Sequence, residues 1–111
     1  MTPFRSETLT NGVTAEFIDR SNRYYGDYHR VQVEARIITP VAGRIEPLMQ
    51  VRILERMGVP GSEVEAVRDR LADDFWRHAA GYLGRPDYAE RLLAAESRRR
   101  HSPPLSPRYG R

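Results

Sequence analysis

The sequence predicts an α+β fold, in which an antiparallel β-sheet of three to four strands packs against a long helix and a shorter second helix. Two observations predict it. The first half of the chain alternates apolar and polar residues with period two, which is typical of strands half-buried in an antiparallel sheet. From Ser62 onward, apolar residues recur every three or four positions, which is typical of amphipathic helices. A chain of 111 residues is about one small domain.

The N-terminal segment predicts a β-hairpin. Residues 4–9 can form a short strand, and Thr10-Asn11-Gly12 supplies a turn, because Asn-Gly readily adopts the positive φ of hairpin turns. Residues 13–18 then alternate, with Val13, Ala15 and Phe17 on one face. A strand paired back on residues 4–9 follows from this pattern.

Two further segments extend the sheet. In "HRVQVEARIIT" the apolar and polar side chains alternate until Pro40, which lacks the N–H that a strand ladder needs. Residues 48–57 fit two structures. As a strand, Met49, Val51 and Ile53 share a face; as a helix, Met49, Ile53 and Met57 share a side. The strand is favoured, because Val-Arg-Ile suits a pleated surface.

The second half predicts two helices. Ser62 and Glu65 have the spacing of a capping box, in which each side chain satisfies a free backbone N–H. Gly84 ends the first helix, and a second begins after Pro86. The apolar stripe of the first helix is Val64, Val67, Leu71, Phe75 and Ala79, and the inner side of the second is Tyr88, Leu92 and Ala95.

The charge is divided unevenly along the chain. All 18 basic residues are arginine, which fits a GC-rich coding bias better than selection for bidentate contacts. Five of them lie in residues 98–111 without an acid, so residues 1–97 carry 13 arginines against 15 acids. We therefore expect a slightly acidic domain over residues 1–97. Residues 98–111, rich in arginine, proline and serine, are predicted to be a disordered tail.

Several chemistries have no support in the sequence. There is no cysteine, and His29, His78 and His101 lie in separate contexts without metal-binding spacing. No glycine-rich phosphate loop appears, and no nucleophile, base and orienting group assemble. We therefore predict no catalytic residues, no metal and no cofactor, and a protein that is not an enzyme. No apolar run reaches signal-peptide or bilayer-spanning length, so a cytoplasmic protein without a membrane partner is expected.

Residues 7–95 resemble a family of small bacterial proteins with no assigned activity. The resemblance rests on "LTNGVTAEFIDRSNRYYGDYHRVQVEARI", "ERMGV" and "YLGRPDYAERLL". It implies a strand before "ERMGV" and supplies no catalytic residue. The tyrosine run of this chain is richer than the family pattern.

Two surfaces are candidates for function. The stretch "RSNRYYGDYHR" brings together arginine for phosphate and tyrosine for base stacking, the two ingredients of single-strand binding; its ordinary interpretation is a connection between strands with tyrosines packed over the core. Trp76 follows Phe75 on the long helix and is either an anchor for a protein partner or part of a broad core face. The sequence favours protein association or homodimerisation, with nucleic-acid binding and an unrecognised enzyme as alternatives. The candidate nucleic-acid or partner surface is Arg23, Tyr24, Tyr25, Tyr28 and Arg30.

Overall fold

The computed structural model describes residues 2–101, and for residues 99–101 it describes the backbone alone. The predicted α+β fold is confirmed, but the sheet has five strands over these residues rather than three or four. The elements are β1 (Arg5–Thr8), β2 (Thr14–Asp19), β3 (Asn22–Tyr25), β4 (Tyr28–Thr39), β5 (Leu48–Pro60), a 3₁₀ turn (Gly61–Glu63), α1 (Val64–Leu83) and α2 (Tyr88–His101).

The long strand β4 is the centre of the sheet. One of its edges pairs with β2 through residues 33–38 and with β3 through residues 28–30. Its other edge pairs with β5 from Tyr28 opposite Pro60 to Thr39 opposite Leu48. β1 pairs with β2, and every pairing is antiparallel. The strand interpretation of residues 48–57 is therefore confirmed.

The two faces of the sheet differ because side chains alternate along each strand. The odd-numbered residues of β4 from Val31 to Thr39 are buried on the face that carries the helices. Phe17 of β2 lies in this core, with its ring centroid 6.0 Å from that of Phe75 on α1. The even-numbered residues of β4 from Gln32 to Ile38 lie on the opposite face, which we call the open face.

The start of α1 differs from the prediction. The capping box of Ser62 and Glu65 is wrong, because α1 begins at Val64 after the 3₁₀ turn and no side chain caps it. Asp27, between β3 and β4, instead accepts the Gly61 N–H through its carbonyl at 3.0 Å and its carboxylate at 3.1 Å. The turn between β3 and β4 thus provides hydrogen-bond acceptors for the backbone N–H of Gly61, which precedes α1.

Most of the predicted helix ends and buried helix residues agree with the structure. Gly84 caps α1, and Tyr88 and Leu92 of α2 are buried in the core. α2 runs to His101, so the predicted boundary at residue 97 falls within this helix. The rest of the predicted tail, residues 102–111, lies outside the described residues.

Candidate functional site

β5 forms one edge of the sheet and is the longest strand in it. It spans 13 residues and pairs with β4; no other strand among the described residues pairs with it. The other edge of β5 therefore presents backbone N–H and C=O groups that another strand can use.

The open face of β5 carries exposed apolar side chains, which we call the apolar row. Its members are between 49% and 55% exposed. Met57 and Gly58 form a β-bulge, because both stand opposite the single residue Arg30, and Gly58 adopts a φ of 69°. Exposed apolar residues at alternate positions along a free edge favour association. The row consists of Met49, Val51, Ile53 and Met57.

The charged residues beside the apolar row are paired with one another. Glu34 stands opposite Ile53, and its carboxylate accepts hydrogen bonds from Arg36 Nε at 2.6 Å and Arg20 Nε at 3.0 Å. The hydrogen bond from Arg36 is the main cause that lowers the pKa of Glu34, and Arg20 adds to it, against an opposing effect of desolvation. The charges on this side of β5 thus have partners within the chain.

The tyrosine-rich stretch forms a β-hairpin between β3 and β4. Gly26 and Asp27 make its two-residue turn, and a φ of 52° at Gly26 followed by a negative φ at Asp27 is the sign pattern of a type II′ turn. Tyr25 stands directly opposite Tyr28, so their side chains share a face. Tyr24, Tyr25 and Tyr28 are 48%, 74% and 48% exposed, so none of them packs into the core.

The hairpin also brings the two predicted arginines to this surface. Arg23 stands opposite His29 and forms no ion pair with a described residue. Arg30 Nε donates to Asn22 Oδ1 at 3.0 Å, and its guanidinium lies 4.0 Å from Glu55. All five residues predicted for this surface therefore lie on one hairpin.

Trp76 lies on α1 beside Phe75. It is half-buried and packs against the core cluster that contains Phe17, together with Phe75. This matches the interpretation of a broad core face on α1. A role for Trp76 in binding a partner stays a prediction.

His29 and His78 lie on different elements, β4 and α1. His78 Nδ1 lies 2.7 Å from the Asp74 carbonyl one turn earlier on α1, and His29 Nδ1 lies 3.1 Å from the Asp27 carbonyl in the hairpin. A carbonyl can only accept, so each of these nitrogens carries the proton. Residues 2–101 contain no group of three or more histidine or acidic side chains arranged to hold a metal ion.

Comparison with known proteins gives no assignment: the chain matches no protein-family model, no curated protein and no solved structure. Neither described helix has the length and hydropathy needed to cross a bilayer. Function is therefore inferred from the surfaces of the chain itself.

The exposure of the apolar row is the feature that sequence reasoning missed. The alternation of Met49, Val51 and Ile53 predicts that they share a face, but not that this face is the open one. The sequence pointed the other way, because Gln50 and Arg52 on the helix face are more polar than Met49, Val51 and Ile53.

Proposed function

We propose that the chain is a cytoplasmic protein that acts by association and forms a homodimer through β5. The observation that carries this proposal is the apolar row along an edge strand with no partner among the described residues. Pairing β5 with β5 of a second copy would satisfy its free backbone groups and cover the row. A second copy is favoured over another occupant because β5 can pair with itself in a register that joins the two rows without opposing like charges.

Symmetry limits how two copies of β5 can pair. A two-fold axis between antiparallel strands places one residue opposite its own counterpart, so each register is named by its central residue. A register centred on Arg52 opposes two arginines. A register centred on Leu54 places Arg52 of each copy opposite Arg56 of the other copy. Like charges directly opposite each other are destabilising, which disfavours both registers.

Registers centred on Val51 and on Ile53 avoid these oppositions, and the one centred on Ile53 pairs the longer stretch of β5. The register centred on Ile53 places Ile53 against Ile53 and Met49 against Met57, so most of the two apolar rows meet on the open face. Val51 stands opposite Glu55 of the second copy in this register. On the helix face it places Arg52 against Leu54 of the second copy. This register yields a continuous ten-stranded sheet with all helices on one side.

Light scattering after size-exclusion chromatography tests the proposal. We expect wild-type protein to elute as a species of twice the 12.8 kDa chain mass. The Ile53→Glu variant should be monomeric, because two carboxylates would face each other at the two-fold axis.

The matched control is Ile45→Glu, since Ile45 is fully exposed in the loop before β5 and is not part of the strand. It should remain a dimer. A wild-type protein that is monomeric at every concentration measured would overturn the proposal, as would dimerisation that Ile53→Glu leaves intact. Circular dichroism checks that each variant is folded.

A second candidate function is single-strand nucleic-acid binding through the β3–β4 hairpin. It is favoured by the exposure of all three tyrosines, with Tyr25 and Tyr28 on one face and Arg23 without an ion pair to a described residue. Exposed rings can stack on bases, and each such contact is worth about 1–3 kcal/mol.

Fluorescence anisotropy with a labelled single-stranded oligonucleotide tests this candidate. We expect binding that weakens with added salt, because arginines release counterions from phosphates. Tyr25→Ala should weaken it, whereas Ile45→Ala, at an exposed apolar position in the loop before β5, should not. Absence of binding at low salt would rule this function out.

A further inference from the structure

A groove runs between α1 and β5 on the helix face of the sheet, away from the apolar row. Its first compartment has a volume of about 250 Å³. The buried residues Ile37 and Leu83 lie at its base, and Phe75, Ala79 and Tyr82 of α1 contribute apolar surface. This compartment can accept the flat apolar body of a small molecule.

A second compartment continues the groove beneath α2. It has a volume of about 260 Å³ and shares Gln50 and Tyr82 with the first. Tyr88 fixes this boundary, because its hydroxyl donates to Gln50 Oε1 at 3.0 Å and its ring centroid lies 5.5 Å from that of Tyr82. The two compartments together fall within the usual range of small-molecule sites, roughly 300–1,000 Å³.

The charge of this groove has one sign. Arg52 lines the first compartment with His78, and Arg85 and Arg91 line the second, whereas no acidic side chain among the described residues lines either one. The contrast with the rest of the surface is strong, because residues 1–97 carry more acids than arginines. A depression on the outer side of α1 illustrates the usual mixture, with three arginines and three aspartates.

The arginines of the groove differ in how far they are already engaged. Arg91 Nε donates to Asp87 Oδ2 at 2.8 Å. Arg52 and Arg85 form no side-chain ion pair with any residue that the structure describes. Two guanidinium groups beside apolar surface thus retain their donors for an anion.

We propose that this groove binds a small organic anion with a flat apolar body. The body lies against Phe75 and Tyr82 over Ile37, and the anionic group accepts hydrogen bonds from Arg52. Arg85 extends the site toward the second compartment. A carboxylate and a phosphate share this chemistry, so the ligand class is an aromatic carboxylate or phosphate monoester.

Titration followed by ¹H–¹⁵N NMR tests the site with three probes of similar shape. We expect 1-naphthoate or 1-naphthyl phosphate to give saturable shifts at Gln50, Arg52 and Tyr82. The neutral 1-naphthamide should bind much more weakly, because it offers no charge to the guanidinium. Comparing the two anions shows whether a carboxylate or a phosphate is preferred.

Two substitutions test which arginines contribute to the affinity for the anion. Arg52→Gln should weaken binding of the preferred anion by about tenfold or more, as expected for loss of a charged hydrogen bond. Arg85→Gln should weaken 1-naphthyl phosphate more than 1-naphthoate, because the larger group reaches further along the groove. Arg44→Gln removes the same charge from the loop before β5 and should have no effect.

Three results would overturn the proposal. These are an absence of saturable shifts with both anions, equal binding of the amide, and shifts located outside the groove. The groove is built by one copy of the chain, and Arg52 faces the helices whereas the apolar row faces the other way, so anion binding can be measured whether or not the dimer forms. A monomeric protein that binds the anions would refute dimerisation and support the groove.

Discussion

Asn11 joins the β1–β2 turn to the end of α1, although 72 residues separate it from Leu83. Its Nδ2 donates to the Leu83 carbonyl at 2.8 Å and to the Arg85 carbonyl at 3.3 Å, while its Oδ1 accepts the Val13 N–H at 3.1 Å. Carbonyls at the end of a helix lack partners within the helix, so this side chain satisfies them.

We expect Asn11→Ala to lower the free energy of unfolding by about 1–3 kcal/mol, because it removes the part-buried hydrogen bonds to the Leu83 carbonyl and the Val13 N–H. Urea denaturation measures the change. Asn22→Ala is the matched control: it removes an exposed amide that contacts Arg30 on the hairpin, and should change stability by less than half as much. Equal effects of the two substitutions would contradict the role of Asn11.

Two glycines should respond to alanine with opposite signs. Gly26 has a φ of 52°, so a side chain there is strained, and we expect Gly26→Ala to destabilise the protein by about 1–2 kcal/mol. Gly81 lies within α1, where the methyl group of an alanine would point into open space, and Gly81→Ala should stabilise by about 0.5–1 kcal/mol. Thermal unfolding of both variants compares them, and a shared sign would contradict this explanation.

Residue-scale predictions from the sequence succeeded where the cause is local and failed where it is distant. The turn at Gly12 depends on the positive φ that glycine readily adopts, and the sequence contains that information. The capping box failed because a 3₁₀ turn over Gly61–Glu63 moves the start of α1 to Val64. Asp27 of the hairpin binds the first residue of this turn, and nothing within the "GSEVE" segment records that contact. The exposure of the tyrosines likewise depends on where the hairpin projects from the sheet.

At the scale of elements, α2 is held to the sheet by Tyr88. This tyrosine is buried in the core and donates to Gln50 of β5. Burial raises the pKa of Tyr88 above the ordinary 10.0, and Tyr82 beside it contributes in the same direction. The protonated phenol is therefore the form that the folded state favours.

We expect the attachment of α2 to weaken at alkaline pH. The pKa of Tyr88 is higher in the folded state than in the unfolded state, where it is about 10. The stability that the protonated Tyr88 phenol contributes is therefore complete below a pH of about 10 and is lost as the pH rises through the pKa of the folded state. Urea denaturation across this range measures the loss, and Tyr88→Phe should reduce its steepness because phenylalanine has no proton to lose. An unchanged profile for Tyr88→Phe would contradict this assignment; Tyr25→Phe, on the exposed hairpin, is the control.

The order and type of most elements could be predicted, but the strand β3 and the role of β5 could not. Period-two alternation identifies β4 and β5 as strands, since it depends on the backbone alone. Which strand is central depends on pairing between distant segments, and β4 occupies that position because both of its edges are paired. The apolar row and the groove follow from that placement, and so the candidate sites became visible only in the fold.

At the scale of the whole molecule, the two proposed sites use opposite faces of β5 and meet through the proposed dimer. In the register centred on Ile53, Gln50 stands opposite Arg56 of the second copy on the helix face. Gln50 lies at the boundary of the two groove compartments. Dimerisation would therefore bring one more arginine to the mouth of the groove, so anion affinity should rise with protein concentration if both proposals hold.

The register of the dimer can be tested by cross-linking, because the chain has no cysteine of its own. A single cysteine at position 53 would face its counterpart across the two-fold axis, where opposite Cβ atoms lie about 4.5–5.5 Å apart, close to the distance that a disulfide bridges. We therefore expect Ile53→Cys to form a covalent dimer under mild oxidation, as seen by non-reducing gel electrophoresis. Met49→Cys should form little, because Met49 faces Met57 of the second copy instead of itself. Efficient cross-linking through Arg52→Cys or Leu54→Cys would instead assign one of the two registers that charge disfavours. Equal cross-linking at all four positions would indicate random collision and no defined dimer.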